Sequence, residues 1–163
     1  EKSIKIGDLI TINGNLKGYI RKLGARATII EMPDGKEIVV PNEMFITNIV
    51  ANHTHNNKKG RVEIIIQVNY DSDLEKVRKI LVETAGEYQY SSKLDGHLPS
   101  CFLVEYGESA IKLKLTFWLD DITIGEIRVK SDVMFNIWNN FKDNKIEMAY
   151  PRQDLNILNY SNK

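Results

Sequence analysis

"RATIIEMPDGKEIVVPN", Arg26 to Asn42, decides how the first third of the chain is read. "RATIIE" (Arg26 to Glu31) is rich in β-branched residues and reads as a strand. "PDG" (Pro33, Asp34, Gly35) is a turn, because glycine supplies the positive φ that tight turns need. "KEIVV" then returns as a second strand. Pro41 lacks an N–H and ends the ladder. Asn42 is expected to redirect the chain by bonding its own backbone. An apolar triplet follows, Met44, Phe45 and Ile46, expected to pack the bottom of a barrel or a neighbouring subunit.

Working outward, the preceding residues repeat the pattern. "GDLITI" is a short strand, and "NGN" (Asn13 to Asn15) is a strong hairpin turn. "LKGYIRKL" is a strand with Gly18 inside it, where a bend or bulge is expected. Four or five short strands in about fifty residues predict a small β barrel or curled sheet. "HTHNNKKG" (His53 to Gly60) is a polar break. The expected division is 1–53 for the β domain, 54–60 for a linker, 61–150 for a second domain and 151–163 for a closing strand and tail.

The second domain changes character. "RVEIIIQVNY" alternates Val62, Ile64, Ile66 and Val68 on one face, as a strand does. "SDLEKVRKILVETAG" reads as a helix, with Ser72 and Glu75 as a capping box and Gly86 at its end. "SCFLVEYG" and "SAIKLKLTFWL" read as a hairpin. In the latter, Ile111, Leu113, Leu115, Phe117 and Leu119 point in, while Lys112, Lys114 and Thr116 point out. A second helix, about Glu126 to Phe141, carries Val129, Val133, Ile137 and Phe141 at four-residue spacing. A short strand from Ile146 to Ala149 completes the order. The pattern βαββαβ predicts a ferredoxin-like α+β domain. "RQDLNIL" after Pro151 is left over as a strand in need of a partner, in this chain or another copy.

Charge and chemistry narrow the function. The chain has 22 basic and 22 acidic residues, which counts against a nucleic-acid binder. The charge is uneven: to Val62 there are ten Lys/Arg and six Asp/Glu, and beyond it twelve and sixteen. That +4/−4 split would suit ion steering or assembly, or it is chance. The single cysteine, Cys101, sits in a strand pattern and reads as a buried hydrophobe, so no disulfide within the chain is expected. Asp120-Asp121 reads as a solvated turn or helix cap, and Asp71 and Asp73 as helix-start residues, with a metal site as the alternative reading of that pair. His53 and His55 would share a face in a strand, but no third metal ligand stands near them. His97 is alone in a loop. There is no nucleophile elbow, phosphate loop or GxGxxG. Neither an enzyme, a cofactor nor a metal site is expected. No signal peptide or transmembrane run is seen, and the opening Glu1 leads us to expect a longer protein around this piece.

In their order and spacing the motifs resemble the cytoplasmic part of the small-conductance mechanosensitive channel family. The matching residues are Gly7-Asp8; Gly18 with Arg26 and Thr28; Asp34-Gly35; Pro41-Asn42; Asn52; and Tyr70, Asp71, Ser72 and Asp73. The late "YPRQDLNI" looks like the family's closing segment. The linker departs from the family, which often carries an aromatic and a Ser-Arg after the Asn. The resemblance implies an Sm-like β barrel and an α/β domain, hung below a membrane pore made by upstream helices. It implies homo-heptamers whose final strands, with Leu155 and Ile157, close a cage on the cytoplasmic side. Ions and small osmolytes would pass between subunits during osmotic down-shock. Its rival is an RNA-binding or regulatory module on the same folds, hinted at by Trp118 beside Lys112 and Lys114.

Overall fold

The computed structural model describes residues 4–151. Two compact units divide the chain. One takes in residues up to Val62, with Tyr90–Ser92 and Trp118–Val129; the other has Glu63–Gln89, Lys93–Phe117 and Lys130 onward. The fold is mixed α/β with two sheets.

The first sheet has five strands: β1 Leu9–Ile12, β2 Leu16–Leu23, β3 Ala27–Glu31, β4 Glu37–Pro41 and β5 Val50–Asn52. Their order is β4-β3-β2-β1-β5, with every neighbouring pair antiparallel. The Asn13–Asn15 loop joins β1 to β2, with φ of 49° at Asn13 and 75° at Gly14. Buried Ile10, Ile12, Ile20, Ile30 and Val40 form the core, and Leu16, Leu23, Ile38, Phe45 and Val50 pack on it.

Gly18 does not mark the bulge. The register slips at Arg21, between Ile20 and Lys22. At Gly18 a Cβ would lie 2.5 Å from the Glu31 carbonyl oxygen. The glycine is there for close approach of β3, and the extra residue falls where Arg21 reaches Glu31 instead. Its guanidinium grips that carboxylate with Nε–Oε2 at 2.8 Å and Nη2–Oε1 at 3.0 Å.

The apolar triplet after β4 winds into one helical turn, α1 Met44–Thr47. Phe45 packs on the core. Met44 and Ile46 do not: both are exposed, Ile46 by 85%. A single turn can aim only one of three successive side chains inward, so of the triplet only Phe45 meets the core of this sheet.

The second sheet, in the order β6-β8-β7, comprises β6 Gly60–Val68, β7 Ser100–Tyr106 and β8 Ile111–Leu119. β7 and β8 are antiparallel, with a slip at Val104. The helices are α2 Leu74–Glu87 and α3 Glu126–Asp143. α2 lies against β7. Asn140 Nδ2 donates to Thr84 Oγ1 at 2.7 Å, and the Tyr88 hydroxyl donates to Asp132 at 3.0 Å, so the two helices are tied together. The inward sets expected for β6, β8 and α3 are all buried.

Four details depart from expectation. Asp73, not Ser72, caps α2, accepting from Lys76 N at 3.1 Å. The helix runs one residue past Gly86, to Glu87. Thr116 is only 8% exposed between buried Leu115 and Phe117, so both faces of β8 are covered at that point. Residues 146–149 form no strand; one antiparallel bridge, Val68 to Met148, stands in its place. Leu155 and Ile157 lie outside the described residues. No helix among the described residues is long and apolar enough to cross a membrane.

Candidate functional site

The family-like residues gather into polar braces at the edges of the sheets. The first lies where the chain enters β1. Gly7, with φ at 91°, donates its N–H to the Ile20 carbonyl at 2.7 Å. Asp8 follows and is only 2% exposed. Its carboxylate accepts from Lys5 N at 3.0 Å, Asn52 Nδ2 at 2.8 Å and Thr54 Oγ1 at 3.0 Å. The Thr54 hydroxyl accepts in turn from Leu9 N at 3.1 Å, and the Asn52 amide oxygen accepts from Thr54 N at 3.0 Å. A buried carboxylate survives only when its lone pairs are filled in this way. Burial pushes the Asp8 carboxyl up. The bonds from Asn52, Lys5 N and Thr54, with the Lys5 charge, outweigh it and hold the group below its ordinary value.

The second brace corrects the reading of Asn42. Its side chain does not bond its own backbone. Nδ2 donates to the Gly24 carbonyl at 3.0 Å, while Oδ1 accepts from the buried Thr28 hydroxyl at 2.9 Å. Asn42 N donates to the Arg26 carbonyl at 2.9 Å. Thus Asn42 pins the β2–β3 turn to the end of β4. Pro41 keeps its place in β4, opposite Ala27.

The remaining family-like residues build turns and caps. Asp34 Oδ1 accepts from Lys36 N at 3.1 Å, and Gly35 takes φ of 84°. The Tyr70 hydroxyl donates to the Gly107 carbonyl across the second unit. Asp71 and Ser72 lead to the Asp73 cap, and Ser72 N donates to the Asn69 carbonyl at 3.1 Å. Of the other acids, Asp121 caps the turn Ile122–Ile124 through Thr123 N at 2.8 Å.

Sequence reasoning missed the Thr54 hydroxyl in the first brace. His53, weighed in the sequence only as a metal ligand, instead shares a 2.8 Å hydrogen bond between its Nε2 and the Thr11 hydroxyl. Burial and the nearby Lys17 charge lower the His53 pKa, with Glu126 opposing. Among the described residues no group of three or more His, Cys, Asp or Glu is placed to hold a metal. Cys101 is buried, and burial pushes its thiol up against the Arg78 charge. On the β8 face, Lys112 pairs with Glu105 at 2.8 Å and Lys114 with Glu63 at 3.5 Å. That pairing leaves little net basic charge on the face where RNA would have to lie.

Comparison with known proteins gives two successive family matches along the chain. Residues 1–55 match the family described as "Mechanosensitive ion channel, beta-domain", and residues 62–148 match "Mechanosensitive ion channel MscS, C-terminal". The chain is 30% identical over 159 residues to the mechanosensitive channel MscK of Escherichia coli K12, covering 98% of this chain and 14% of that protein. It is 28% identical over 156 residues to a small-conductance mechanosensitive channel of Helicobacter pylori, covering 95% of this chain and 55% of that protein. The chain therefore spans between a seventh and about half of these relatives. Among solved structures, the closed state of Helicobacter pylori MscS superposes with a TM-score of 0.84 at 26% identity, over 98% of this chain and 61% of that one. Arabidopsis thaliana MSL1 shares the fold, with a TM-score of 0.71 at 16% identity over 93% of this chain and 54% of that one. On the match to both successive domains, the chain belongs to the MscS family of mechanosensitive ion channels.

Proposed function

We propose that the chain is the cytoplasmic cage portion of a tension-gated channel. In this reading it hangs on the cytoplasmic face of the membrane and assembles as a homo-heptamer. Inorganic ions and small osmolytes pass through gaps between its subunits during osmotic down-shock. The observation that carries the reading is the family match along both units, together with the 98% overlap on a closed channel structure. The relatives are ion channels, consistent with a passive role and no catalysis.

The finer architecture belongs to the same proposal. Residues 1–53 form an Sm-like barrel, 54–60 the linker and 61–150 a ferredoxin-like domain; the bridge from Val68 to Met148 supports a fourth strand position beside β6. Residues 151–163 supply an assembly strand through Leu155 and Ile157. The braces around Asp8 and Asn42 keep the walls stiff. Exposed Met44 and Ile46 are available to a neighbouring subunit.

The gene provides the first test. An apolar, membrane-length segment should be encoded directly upstream of Glu1, and a wholly polar upstream region would sink the reading. In native mass spectrometry of the upstream-extended protein, charged residues at 155 and 157 should weaken the ring. An unchanged oligomer would remove the role given to the last strand.

A further inference from the structure

We infer that the connector between β8 and α3, residues 120–126, is held by an ionic-strength-sensitive clasp, in which three carboxylates on the connector meet three lysines on β2 and the linker. Lys59 Nζ reaches Asp120 Oδ1 at 3.3 Å, Lys58 Nζ reaches Asp121 Oδ2 at 3.9 Å and Lys17 Nζ reaches Glu126 Oε2 at 3.5 Å. In these three pairs every cation is on one side of the seam and every anion on the other. All six residues belong to the first unit, although the chain on both sides of Trp118–Val129 belongs to the second.

The middle of the seam is uncharged. Ile122 is only 8% exposed, and its N–H donates to the Lys58 carbonyl at 2.7 Å. A Cβ at Gly60 would meet the Ile122 side chain at 2.7 Å, so the linker packs directly on it. The Tyr19 hydroxyl donates to the Thr123 carbonyl at 3.3 Å. These contacts set the position of the segment and are insensitive to screening. The ion pairs around them are not: their side chains are 30–63% exposed and open to counterions. One such pair alone is worth little. Three of the same sense on so short a segment add, and all three weaken together as salt rises. In the channel reading proposed above, dilution of the cell interior tightens the clasp. The clasp itself is a property of this chain and is tested on it, so its failure would leave that reading standing.

The test is native-state amide exchange of the full 163-residue chain, read by NMR. Sodium chloride is raised from about 0.01 M to about 1 M, across which the screening length falls from about 30 Å to about 3 Å. The reporter is the Ile122 N–H. The reference is the Ile20 N–H, bonded to the Asp8 carbonyl at 2.9 Å in the same unit. Exchange at Ile122 relative to Ile20 should speed up about threefold or more with salt, the scale of a few partly exposed ion pairs. Sucrose at equal osmolality should leave the ratio unchanged. In dilute salt Lys59→Glu should loosen the seam, and so should Asp120→Lys. The two substitutions together should restore both the protection and its salt dependence. Neither side chain is buried, so all three variants should keep the fold. A ratio that ignores salt, one that follows sucrose equally, or one that the double variant does not restore would each overturn the clasp.

Discussion

Asn42 closes two gaps with one amide. Its oxygen satisfies a buried hydroxyl on β3, and its nitrogen satisfies a carbonyl in the β2–β3 turn. Asn42→Ala leaves the Thr28 hydroxyl unanswered and should cost about 1–3 kcal/mol in urea unfolding. Asn42→Asp keeps the acceptor but sets a carboxylate against the Gly24 carbonyl, so it should not restore stability. Full stability in either variant would count against the brace. Asp8 makes a different prediction, on pH. Folded Asp8 holds its proton more weakly than unfolded Asp8, because its hydrogen bonds outweigh burial. Its contribution is therefore complete above the unfolded value near pH 3.9 and is lost as pH falls through the lower folded value. Below neutral pH, Asp8→Asn should flatten this part of the acid limb of the stability curve. An unchanged acid slope would remove Asp8 as a linked group.

At the scale of elements, local signals conflict in α2. "SDLE" fits a capping box on Ser72, yet the chain caps with Asp73, one residue later. Asp73 brings a full negative charge to the helix start as well as an acceptor. Asp73→Ala should cost about 1 kcal/mol by thermal or urea unfolding, and Ser72→Ala distinctly less; equal losses would return the cap to Ser72. Elements were readable where one periodicity rules. The alternation along β8 and the four-residue spacing on α3 gave their buried sets directly. Thr116 was misread because alternation cannot report that a central strand is covered on both faces. The segment near Met148 carried a strand pattern but forms a single bridge, since pairing depends on a partner edge and not on propensity. The Gly18 position was readable, but its cause was not: close approach and a bulge leave the same glycine in the sequence.

At the scale of the molecule, composition excluded little and motif order said most. Gly7-Asp8, Asp34-Gly35 and Pro41-Asn42 are common turn words taken singly, and only their sequence along the chain pointed to the family. Their bonding was illegible for a physical reason. Asp8 meets Asn52 across 44 residues and Thr54 across 46, and no local pattern reports such partners. The same holds for Asn69 and Glu147, 78 residues apart. The Asp8 brace also has a mechanical side. It fastens the point where the chain enters the first sheet to the point where it leaves, beside the paired β1 and β5. Everything between, from Leu9 to Ala51, is a bypassed loop. A pull on the chain ahead of Lys5 against the chain beyond Thr54 loads a few charge-assisted hydrogen bonds first. The main-chain bond from Gly7 to Ile20 shares that load with β2, and the outer strands β3 and β4 take it up only after those bonds give way.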